Sequence, residues 1–79
     1  MEKSSFADRL SALVSGEMVA AKRDPDRMAE VVERLSAALG FSVALMARGD
    51  AKAIDELMTG AEAYAHSEAV EKAPLATLF

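Results

Sequence analysis

Apolar side chains recur every third or fourth residue along almost the whole of this sequence, and over such lengths that spacing matches only a helix. Phe6, Leu10, Leu13, Val14, Met18 and Ala21 form a first stripe, opened by Ser5 with Asp8 three residues on, a capping-box pattern. Asp24-Pro25 stops it and starts the next helix, because Asp accepts the orphan N–H groups of a first turn and proline at the first helical position needs no donor. Lys22 and Arg23 suit the C-terminal end of helix 1, where positive charge is favoured. The second stripe runs through Met28, Val31, Val32, Leu35, Leu39, Ser42, Val43 and Met46. It stays in phase across Gly40, so one continuous helix is predicted there. Alternation at Phe41, Val43, Leu45 and Ala47 would also suit a strand, but no second candidate strand exists to pair with it. Arg48-Gly49-Asp50 is a stop and a start in three residues, with Gly49 supplying the left-handed conformation after a C-cap and Asp50 capping the next helix. Ile54, Leu57, Met58, Ala61, Tyr64 and Ala65 carry the third stripe, which Pro74 is expected to end.

The prediction is an all-α, three-helix array at about 5–23, 25–47 and 50–73, forming a single domain over residues 1–79 with a short apolar tail at 74–79. Of its 79 residues 52% are apolar, but 17 of these are alanine and only four residues are aromatic, which leaves little bulk for a core. A domain of this size commonly needs a supplement, and with no cysteine a disulfide or thiolate zinc site is ruled out. Oligomerisation is the remaining device. The lack of cysteine and of an apolar leader in Met1–Phe6 gives a cytoplasmic expectation. Ala37–Ala47, the longest apolar run, is far short of the ~20 residues of a membrane span.

The net charge of −4 sits in the last third, where six acids meet two bases. Such a balance disfavours nucleic acid, whose phosphates need clustered Lys and Arg. An enzyme is not expected either. The seven serines fall at caps, turns or small helical positions with no base beside them, and the four glycines are isolated, so no phosphate loop is present. His66 shares a side of helix 3 with Asp55 and Glu62; the ordinary reading is an exposed Glu62–His66 pair, leaving no metal site, cofactor or catalytic residue assigned.

Three short patterns resemble known motifs. Leu35–Met46 resembles the helix-turn-helix signature, with Leu39 and Gly40 entering the turn, Phe41 and Ser42 following, and Met46 six residues beyond the glycine. The recognition helix it implies would offer bases Val43, Ala44, Leu45 and Ala47 in place of polar side chains. Leu78-Phe79 resembles the end of short peptides that dock in the bacterial sliding clamp, with Leu75 where those peptides carry glutamine. Arg48-Gly49-Asp50 also spells the integrin-ligand tripeptide, although each of its residues already has a structural role.

Around Phe41–Met46 helix 2 is apolar on nearly every side, more than two neighbouring helices can cover. Phe41 and Leu45, one turn apart, are therefore expected on an interaction surface, with Leu78 and Phe79 as further candidates unless they fold back over the helical core. The expectation is a small cytosolic interaction or regulatory module, an adaptor, inhibitor or accessory subunit, acting as a homodimer and binding another protein. The alternatives are a degenerate helix-turn-helix regulator, and a carrier of a small apolar ligand in a pocket lined by Met18, Met28, Met46 and Met58.

Overall fold

A computed structural model of the chain describes residues 5–79, and it is all-α: α1 is Phe6–Ala20, α2 is Pro25–Ala47 and α3 is Ala51–Ala76. Met1–Ser4, on which the leader argument partly rests, lie outside the described residues. Each helix opens as its cap residue dictates. The Asp8 N–H donates to Ser5 Oγ at 3.0 Å, the Arg27 N–H to Asp24 Oδ1 at 3.1 Å and the Ala53 N–H to Asp50 Oδ2 at 2.9 Å. All three contacts satisfy an N–H that the helix itself leaves without a partner.

The ends of α1 and α3 depart from the positions the spacing predicts. α1 stops at Ala20, short of the expected Lys22 or Arg23, and Ala21 is its C-cap. The cause is the tightness of the corner: the Asp24 N–H donates to the Ala21 carbonyl at 2.8 Å, which leaves Lys22 and Arg23 in the turn. α2 closes in a Schellman motif, with the Arg48 N–H on the Leu45 carbonyl at 3.3 Å and the Gly49 N–H on the Ala44 carbonyl at 3.1 Å. The left-handed position next to the helix is thus Arg48, at φ 54°, followed by Gly49 at φ 79°; glycine alone had been expected to take that role. Pro74 does not end α3, which runs on to Ala76. Proline removes a single N–H, the one that would reach the Val70 carbonyl, and in a last turn exposed to water that carbonyl is hydrated at small cost. The expected separate tail at 74–79 is therefore helix in its first half, Pro74–Ala76, followed by a turn in which the Leu78 N–H donates to the Leu75 carbonyl and the Phe79 N–H to the Ala76 carbonyl.

The described residues divide into two compact helical hairpins, residues 5–35 and Ser36–Phe79, with the division inside α2. In the first, half-buried Val14 and Met18 of α1 accompany half-buried Met28, Val31 and Leu35 of α2, and fully buried Ala21 fills the corner. In the second, buried Val43 and Ala47 of α2 make the core with half-buried Ala44 and with Ala53, Ile54, Leu57, Met58 and Ala61 of α3. Ala21, Val43 and Ala47 are the only residues buried among those described.

That distribution corrects the second stripe. Of the expected stripe, Val43 is buried as anticipated, whereas Val32, Leu39 and Met46 are exposed and Ala47, outside the stripe, is buried. On a helical wheel Met46 lies about 60° from Val43 and about 100° from Ala47, so covering the Val43–Ala47 side leaves Met46 outside. The third stripe also ends early: Tyr64 and Ala65 are exposed, and the intramolecular side of α3 finishes at Ala61.

Candidate functional site

From Ser36 to Ala47 the sequence has twelve residues without a charge, all helical. Val43, Ala44 and Ala47 face the core of the second hairpin, and the remaining uncharged surface is left outside it. Phe41 is 66% exposed, Leu45 63% and Met46 75%. Ala38, Leu39 and Ser42 are exposed as well, and at about 100° per residue these six lie within one side of α2. Ser42 sits in the middle of that side. Its hydroxyl donates to the Ala38 carbonyl at 2.8 Å, so the only polar side chain on the face has a partner within its own helix.

Phe41 and Leu45 are thus brought together on one exposed face, as their spacing implies. Leu78 and Phe79 behave differently. Leu78 is 82% exposed and Phe79 43% exposed, and both follow the end of α3 in a turn. Met46 belongs with Phe41 and Leu45, which sequence reasoning missed by giving it to the core. The signal that could have found it is the small-residue spacing of Ala44 and Ala47 around Val43, a surface that lets a neighbouring helix approach closely.

Gly40 lies inside α2, where the helix-turn-helix resemblance would place a turn. The Arg48-Gly49-Asp50 tripeptide is absorbed into the α2–α3 corner, with the Asp50 carboxylate engaged as an N-cap. Asp55, Glu62 and His66 are exposed on α3, and the expected Glu62–His66 ion pair does not form. Among the described residues no group of three or more His, Asp or Glu side chains gathers in a way that could hold a metal ion. Two ion pairs lie farther along α3: Lys72 Nζ is 3.1 Å from Glu68 and 3.8 Å from Glu71. The hydrogen bond and charge of Glu68, then the charge of Glu71, hold the Lys72 ammonium above the usual lysine value. A raised lysine favours the folded form at neutral pH and loses that effect as the pH rises through the lysine range; at so exposed a site the effect is minor.

A cleft of about 420 Å³ opens between α1 and the first half of α2. Its floor is Leu13, Val14, Val31 and Leu35, and its rim carries Glu17, Arg27, Glu30 and Arg34. None of the methionines lines it, so the expected methionine pocket is not formed here. No helix among the described residues is long and apolar enough to cross a membrane.

Compared with known proteins, the chain matches no family model, no curated protein and no solved structure.

Proposed function

We propose that this chain is a small, non-enzymatic helical interaction module that acts as a homo-oligomer through the uncharged face of α2 and regulates or joins a larger protein assembly in the cytosol. One observation carries the reading: Phe41 and Leu45 stand about two-thirds exposed on a helical face that has no charge over twelve residues. Contiguous apolar patches of this kind on small proteins mark association surfaces, since water contact with two such side chains costs ~1.5–3 kcal/mol for each. The cytosolic setting is supported by the absence of cysteine, and the non-enzymatic role by the lack of a nucleophile with a base in reach. The carrier reading has only the cleft behind it, whose rim mixes two acids with two bases and so selects no particular ligand charge.

Light scattering on three proteins tests the proposal. The wild-type chain is expected at the mass of two copies at micromolar concentration. Phe41→Asp is expected at the mass of one copy with its helical circular dichroism retained, because Phe41 contributes little to the core of its own hairpin. Glu62→Ala, on an exposed position of α3, is expected to match wild type. A monomeric wild type, or a Phe41→Asp protein that remains dimeric, would overturn the assignment.

A further inference from the structure

We infer that the occupant of the exposed α2 face is a second copy of this chain, seated so that the two α2 helices cross antiparallel about a two-fold axis at Ser42. This rests on the interaction reading above and specifies its geometry. The first argument is electrostatic. Each copy has a net charge of −4, so two copies repel except where their contact carries no charge, and Ser36–Ala47 is the uncharged stretch of α2. Ser42 stands near the centre of that stretch, and an axis there lays the uncharged residues Ala37–Ala47 of one copy on the same residues of the other. An axis one turn earlier, at Ala38, would set Met46 against Glu30 and Ser42 against Arg34. One turn later, at Met46, it would set Ser42 against Asp50, past the end of the helix.

The second argument is size. A two-fold axis pairs positions equally distant before and after it, so Ala38 of each copy meets Met46 of the other, and Leu39 meets Leu45. Ala38 against Met46 sets a small residue on a large one and Leu39 against Leu45 sets apolar on apolar, so the surface is self-complementary, as an isologous contact requires. Ser42 at the crossing point is small enough for close approach, and its hydroxyl is already satisfied by the Ala38 carbonyl, so burial leaves no polar group without a partner. Phe41 of the two copies then lies on opposite edges of the contact, one on each side of the axis. The six residues of the face present on the order of 500 Å² per copy, or about 1,000 Å² for the pair, which is at the lower bound for a specific interface.

Because the chain has no cysteine, single introduced thiols report the contact without interference. A disulfide needs Cα atoms within about 7 Å, a condition the axis satisfies at position 42 and not at exposed positions elsewhere. Under mild oxidation Ser42→Cys is expected to form a covalent dimer at least tenfold faster than Glu62→Cys, and adding Phe41→Asp to Ser42→Cys should remove that advantage. Mixing Ala38→Cys with Met46→Cys should yield the mixed dimer in preference to either homodimer. Equal rates for Ser42→Cys and Glu62→Cys in a wild-type background that scatters light as a dimer would overturn the axis while sparing the interaction reading. Preferential Ala38→Cys homodimers would overturn the antiparallel sense. A wild-type chain that remains monomeric would remove both the geometry and the reading beneath it.

Discussion

Arg48 holds a left-handed backbone conformation that costs an L residue with a side chain roughly 1–2 kcal/mol and glycine almost nothing. Arg48→Gly should therefore stabilise the fold by about 0.5–1 kcal/mol after allowing for the greater freedom of glycine in the unfolded chain, a gain measurable by urea titration. Loss of stability on that change would mean that the Arg48 side chain contributes more than its backbone costs. Ala21 is the opposite case. It is wholly buried in the α1–α2 corner, and since overpacking a filled site is destabilising, Ala21→Leu should cost about 1–3 kcal/mol by the same titration. The three N-caps were legible from sequence because Ser5, Asp24 and Asp50 act on N–H groups only three residues away. Ala21 was legible only as a member of a stripe, since its burial depends on how tightly the following turn closes.

At the scale of the helix, Gly40 distinguishes the continuous α2 from a helix-turn-helix. A Cβ built there meets no atom within 4 Å, so Gly40→Ala should stabilise the protein by about 0.5–1 kcal/mol, raising its unfolding midpoint by a few degrees in thermal circular dichroism. A turn at Gly40 would give the opposite sign. The existence and order of the helices followed from periodicity, but which side of α2 is covered did not. Met46 and Val43 share one sequence stripe, and the choice between them is made by the side on which α3 returns, a tertiary fact that periodicity does not encode. Pro74 was misread for a related reason: a proline breaks a long helix in its interior, whereas α3 has only Leu75 and Ala76 left after it.

For the molecule as a whole, two thin hairpin cores with three buried residues among those described offer limited stability by themselves. Association through Phe41, Leu45 and Met46 would add to it by mass action, so the unfolding midpoint of the wild-type chain should rise with protein concentration while that of Phe41→Asp stays constant. The exposed face itself was readable from sequence at Phe41 and Leu45, whose apolar side chains fall outside the stripe that serves the core. Its full extent was not, because Met46 had to be released from the core first. Sedimentation equilibrium from low-micromolar to near-millimolar protein tests the central claim most directly. The predicted result is a mass that climbs from one chain to two and stops there, with Phe41→Asp remaining at one; a wild-type mass of a single chain at every concentration would contradict it.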